Sequence, residues 1–191
     1  YRLAFPLLGE YGMKAVVFVV ADTAIRMNSW DIAEGITPAP LMTTEQILEL
    51  HSAGFEIGSH SMTHQKLTEL PREEAWGEIS RSRMLLEMML NAPVRTFSYP
   101  YGLLNDQVRV LVKEAGYDFA CGVYSGPSVF GVDPLNVRRI EPSQSGDRFR
   151  FWFQMATPYQ KIGALRYKLK RFLERAENGV TGAAHREVRT L

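Results

Sequence analysis

Lys14 to Val20 reads KAVVFVV. The run is β-branched and aromatic, with no polar alternation. That is the pattern of a strand buried on both faces, as in a parallel sheet. Parallel strands must be joined by crossovers, usually helices, so this segment constrains what surrounds it.

The flanking sequence supplies helices. Leu3 to Tyr11 reads as a helix ended by Gly12, with Pro6 tolerable only in its first turn. Thr43 and Gln46 form a capping box that starts a helix from about Thr44 to His51, and Gly54 stops it. Phe55 to Gly58 is a short strand. Pro71 suits the first position of a helix that carries Glu73 and Glu74 in its first turn and runs to about Leu90. Val94 to Tyr99 is the next strand. Asn105 caps a helix that Gly116 ends, Phe119 to Val123 is another strand, and Asn136 to Ile140 a further candidate.

Strand and helix alternate with short connections, which predicts a parallel α/β sheet or barrel. Length supports one domain with a real core, at 191 residues. The longest uninterrupted apolar run is Ala15 to Ala21, seven residues against the about 20 that a membrane-spanning helix needs. The single cysteine, Cys121, excludes an internal disulfide, leaves the redox compartment open and reads as a small buried strand residue. A net charge of +1 excludes a general nucleic-acid binder, so no nucleic-acid partner is expected. The charge is uneven: 10 basic and 16 acidic side chains lie in 1–136, and 12 basic and 5 acidic in 137–191.

In parallel α/β folds the site lies at the C-terminal ends of strands. Two segments stand there. His60 and His64, in SHSMTH, directly follow a strand, and imidazoles four apart can converge on one zinc ion from a single turn. Two exposed loop histidines are the plainer reading. A carboxylate is the natural third ligand. FSYPYG, residues 97–102, follows the next strand; Pro100 and Gly102 fix a turn that can aim a backbone N–H into a cleft, as in an oxyanion hole. A simple β-turn is its alternative. The long Asp22 to Met42 segment also follows a strand end.

In order and context, AFPLLGEYGMKAVVFVV, LMTTEQILELHSAGFEIGSHSMTHQKLTEL, FSYPYG and LNVRRIEP resemble the polysaccharide deacetylase (NodB-homology) family, carbohydrate esterase family 4, over about residues 3–150. The resemblance implies a distorted (β/α) barrel, lacking its first strand here, in a catalytic domain over 1–156. It implies hydrolysis of the N-acetyl group of an N-acetylated glycan of the N-acetylglucosamine type, with release of acetate. His60 and His64 would hold Zn2+ or another divalent metal, Ser61 would bridge the histidine loop, and the metal would polarise the amide carbonyl and acidify the attacking water. The backbone N–H of Tyr101 would hold the oxyanion.

Three family features differ. The Asp-Asp pair that supplies the base and the third ligand is expected upstream of Tyr1. Ser98 stands where the family has the arginine that orients the base, and Arg139 is the candidate replacement, a salt-bridged surface arginine being its alternative. The late leucine-x-histidine motif has no match, since His51 falls on a helix away from the expected active face and His185 in a polar tail.

Trp30 is expected either to anchor its loop or to stack on a sugar, Asp31 to accept sugar hydroxyls, and Tyr99 and Pro100 to line the cleft with Tyr101. Pro158 to Glu177 reads as an amphipathic helix within 157–191, whose basic face either is solvated or contacts an anionic surface. Phe149 to Phe153 is expected to pack this region onto the barrel. Two other functions share the fold: a metal-independent amidohydrolase of small C–N substrates, and a non-catalytic carbohydrate-binding domain.

Overall fold

The computed structural model describes residues 1–123 and 132–139, together with Phe149 and Trp152. Four helices and four strands alternate: α1 Ala4–Glu10, β1 Val16–Val19, α2 Thr44–Ser52, β2 Glu56–Ser59, α3 Arg72–Leu90, β3 Thr96–Ser98, α4 Asp106–Glu114 and β4 Phe119–Cys121. All strand pairs are parallel, in the order β1-β2-β3-β4. The alternation of sequence signals therefore reports the architecture directly.

The local chemistry explains the boundaries. Thr43 accepts the Gln46 N–H, and the Gln46 side chain accepts the Thr43 N–H, so two orphan donors of α2 are satisfied. Asn105 accepts the Val108 N–H and caps α4. Pro71 precedes α3 as its N-cap, one residue earlier than expected. Asn91, left-handed at φ 48°, ends that helix.

Register assigns the two faces of the sheet. Val19, Ser59, Phe97 and Ala120 are aligned across it and share one face. That face carries the core, with Ile47 and Leu50 from α2, Ile79 and Leu86 from α3, and Leu111 and Val112 from α4, all buried. Full burial of each such side chain contributes about 1.5–3 kcal/mol. The opposite face carries Phe18, Gly58, Thr96, Ser98 and Cys121, and His60 extends it beyond β2. Close approach is built in there: a Cβ on Gly58 would lie 2.6 Å from both Phe18 Cδ1 and Thr96 Oγ1.

Three expectations need correction. β1 is not buried on both faces: only Val19 is buried, and Val16 is 41% exposed. Among the described residues β1 pairs with one strand, β2. Among the described residues, the segment after β4 forms a 3-10 turn, Pro134–Asn136, and a single parallel bridge between Cys121 and Val137; Ile140, the end of the expected strand, lies outside them. Phe149 and Trp152 pair with each other at 6.0 Å and remain 71% and 59% exposed, so these two rings are not packed into the core. The expected helix over 158–177 lies outside the described residues.

Candidate active site

β2 delivers His60 to the end of the sheet, where its N–H bonds to Val19 O at 2.8 Å. The loop after it is tied to the chain leaving β1: Ala21 N–H donates to Ser61 O and Asp22 N–H to Met62 O, at 3.0 and 3.1 Å. Ser61 and His64 both sit at positive φ, 65° and 64°. Left-handed backbone costs a non-glycine residue about 1–3 kcal/mol and collects at functional sites. The Ser61 hydroxyl accepts the His64 N–H at 3.0 Å, closing the loop on itself.

The imidazoles meet at 4.7 Å between centroids, with planes 75° apart. His60 Nδ1 lies 2.7 Å from Ser98 O. A carbonyl oxygen only accepts, so Nδ1 carries the proton and Nε2 keeps its lone pair. Burial pushes the His60 pKa down to about 4; the Ser98 bond opposes this, while His64 and Arg139 add to it. His64 is buried and shifted down by desolvation, and its Nδ1 has no hydrogen-bond partner among the described residues. Two neutral imidazoles are the protonation state that a metal requires.

Two aromatic rings hold His64. Trp30 stacks on it at 4.4 Å and 18°, and Tyr101 meets it at 4.7 Å and 62°. Trp30 comes from a 3-10 turn, Ser29–Glu34, in the long loop. One Trp30 face is thus committed to His64. Asp31, next to it, accepts the Asn28 side-chain N–H at 2.7 Å, and its charge favours the protonated form of both histidines. Among the described residues no group of three His, Cys, Asp or Glu side chains could hold an ion.

The FSYPYG turn separates into two parts. Tyr99 and Pro100 are fully buried, and the Tyr99 hydroxyl donates to Leu135 O at 2.8 Å. Both were expected to line the cleft. Tyr99 instead follows Phe97 by two residues and shares its helix-facing side, with ring centroids 5.4 Å apart. Tyr101 is turned the other way by its left-handed φ of 57°. Gly102 follows at φ 65°, and a Cβ there would lie 2.4 Å from Val123 Cγ2, so only glycine fits.

Arg139 reaches the inner face. Its Nε donates to Gly122 O at 2.9 Å and its guanidinium lies 5.9 Å from the Phe18 ring centre. Its charge reaches His60 and Cys121; the Cys121 thiol is nonetheless held above its usual value by burial. Ser98 Oγ is buried on this face with no partner among the described residues. A cavity of about 130 Å3 opens beside His60, bounded by Phe18, Trp30, Leu41 and Met42.

Comparison with known proteins decides the lineage: the polysaccharide deacetylase family pattern matches residues 1–120. The chain belongs to the polysaccharide deacetylase family. YxkH of Bacillus subtilis, a protein named for this family, is 29% identical over 153 residues, 78% of this chain and 50% of that protein. The poly-β-1,6-N-acetyl-D-glucosamine N-deacetylase of Staphylococcus aureus MRSA252 is 23% identical over 128 residues, 62% of this chain and 42% of that one. The chain spans about half the length of these curated relatives. Streptococcus pyogenes deacetylase PplD, solved in complex with acetate, superposes with a TM-score of 0.61 at 23% identity, over 73% of this chain and 57% of that one. A de-N-acetylase from Aggregatibacter actinomycetemcomitans gives 0.59 at 19% identity, over 73% and 64%. The chain therefore has the parallel α/β fold of the family.

The residue that sequence reasoning missed is Glu78 of α3. It is buried and accepts both the N–H and the hydroxyl of Thr63, inside the histidine loop. A signal existed: position 78 falls in the buried stripe of Ala75, Ile79, Ser82 and Leu86, where a carboxylate demands a partner.

Proposed function

We propose that this chain carries the metal-holding and oxyanion-holding parts of a hydrolase for carbon–nitrogen, non-peptide bonds. The substrate is an N-acetylated glycan of the N-acetylglucosamine type, and the products are the free amine and acetate. One observation carries the reading: two imidazoles, His64 buried and His60 half-buried, converge beyond β2, and the Ser98 carbonyl fixes the tautomer of one of them.

The donor set fits a borderline-soft divalent ion such as Zn2+. His60 and His64 would hold it, and a carboxylate is the natural third ligand. When bound, the ion supplies Lewis-acid polarisation of the amide carbonyl and a more acidic water. The chain's own groups do the rest. The Tyr101 main-chain N–H donates to the oxyanion that develops on the acetamide carbonyl. Arg139, on the same inner face, orients the carboxylate base. Ser61 fixes the loop, and the apolar cavity beside His60 has room for a small acyl group. Asp31 accepts sugar hydroxyls at the rim.

The test is acetate release from N-acetylglucosamine oligomers by the protein that carries this chain. His60→Ala is expected to remove at least about 1,000-fold of the rate, several kcal/mol of transition-state stabilisation. Retained release in that variant contradicts the reading. Glycan binding with no release by the wild type supports the non-catalytic alternative.

A further inference from the structure

Glu78 makes contacts that a helix carboxylate has no structural reason to make. It is 6% exposed, in the stripe of α3 that faces the sheet. Its Oε2 accepts the Thr63 N–H at 2.9 Å and its Oε1 the Thr63 hydroxyl at 2.8 Å. Its own carbonyl accepts the Met62 N–H at 3.1 Å. Gln65 Nε2 donates to Thr63 Oγ1 at 3.2 Å, which leaves the hydroxyl proton for Glu78. Met62 and Thr63 are the middle of the loop between His60 and His64.

That loop contains two left-handed residues, Ser61 and His64. Such backbone persists only where neighbours over-determine it. Three sets of bonds do so. The Ser61–His64 bond sets the loop's internal shape. The Ala21 and Asp22 bonds tie one side to β1. Glu78 ties the other side to α3, with two charge-assisted bonds on one residue. Without the Glu78 carboxylate, Thr63 would lose both of these bonds, while the main-chain bond from Met62 would stay.

We propose that Glu78 is the positioning residue of this site: through Thr63 it holds the His60–His64 loop in the form that lets both imidazoles face one divalent ion. The inference rests on the metal reading above for its purpose, but the clamp is measurable without metal.

The experiment compares wild type, Glu78→Ala, Glu78→Gln and Thr63→Val in the protein that carries this chain. Zn2+ affinity is read by calorimetry, and backbone amide exchange is read in the metal-free forms. Glutamine can accept the Thr63 N–H with Oε1 and donate to Thr63 Oγ1 with Nε2, so Glu78→Gln is expected to bind Zn2+ within about three-fold of wild type. Supporting groups around metal ligands are typically worth 10–100-fold in affinity, so Glu78→Ala is expected to lose about ten-fold or more. Thr63→Val, which keeps the N–H bond, is expected to lose about three-fold or more. Exchange at residues 62–64 is expected to accelerate about ten-fold in Glu78→Ala, while α2 keeps wild-type rates; a general loss of stability would speed both.

Wild-type Zn2+ affinity in both Glu78→Ala and Thr63→Val overturns the proposal. If Glu78→Ala does not fold, Thr63→Val against wild type decides it. If wild type itself binds no Zn2+, the metal reading fails and the exchange data alone judge the clamp: unchanged exchange at 62–64 overturns it, and a local acceleration sustains it.

Discussion

His60 Nδ1 donates to the Ser98 carbonyl across 2.7 Å, joining the end of β2 to the end of β3. Two neighbouring strands thus set the tautomer of one imidazole, and Nε2 is left as the donor atom for an ion. The nitrogen resonances of the metal-free chain at neutral pH should show His60 protonated at Nδ1 alone. An Nε2-protonated tautomer would contradict the arrangement.

Gly102 stands at φ 65° with no room for a Cβ beside Val123. Gly102→Ala combines a left-handed strain with an overpacked contact, so it is expected to cost about 2 kcal/mol or more. Urea unfolding measures it. A cost below about 0.5 kcal/mol, the size of a neutral surface change, would mean that the turn adapts.

Alkaline pH should loosen the fold. Burial raises the phenol pKa of Tyr99 and of Tyr117 above the ordinary value; at Tyr117 the Ser59 and Ser82 hydroxyls and Arg83 oppose it. Below about pH 10 both phenols are neutral in folded and unfolded chains, and they contribute no pH dependence. Above it the unfolded chain releases protons that the folded chain keeps, so stability falls as pH rises. Tyr99→Phe should flatten part of that fall. At pH 7 it should cost about 1 kcal/mol, because Leu135 O loses its donor. Stability against pH from 8 to 11, for wild type and variant, checks both signs.

Trp30 reports on the site from one side. Its ring stacks on His64 at 4.4 Å. Zn2+ should therefore change the tryptophan fluorescence, and Trp30→Phe should abolish the change although Trp76 and Trp152 remain. An undiminished response in the variant would separate Trp30 from the metal.

Much of this was legible in the residues because the signals are local. The Thr43–Gln46 box, the Asn105 cap and the strand-terminal SHSMTH each act over a few positions, and the structure places them where the pattern does. What escaped was set by tertiary packing. The exposure of Val16 depends on what packs against β1, and KAVVFVV carries no record of that. Tyr99 was misread although its parity with Phe97 puts it on the helix side; the attraction of an aromatic in a turn outweighed the period of two. Trp30 lies far along the chain from His64, so its stacking had no sequence signal. Glu78 did have one, a carboxylate inside an apolar helical stripe.

The central claim is that His60 and His64 form the metal-holding part of a deacetylase site, and Zn2+ titration of the protein that carries this chain tests it most directly. Calorimetry should show one ion bound per wild-type chain, with affinity reduced at least about 100-fold in His60→Ala and again in His64→Ala, while both variants keep the wild-type unfolding midpoint within about 5 °C. Equal affinity in wild type and variants, or no binding by the folded wild-type protein that carries this chain, would contradict it.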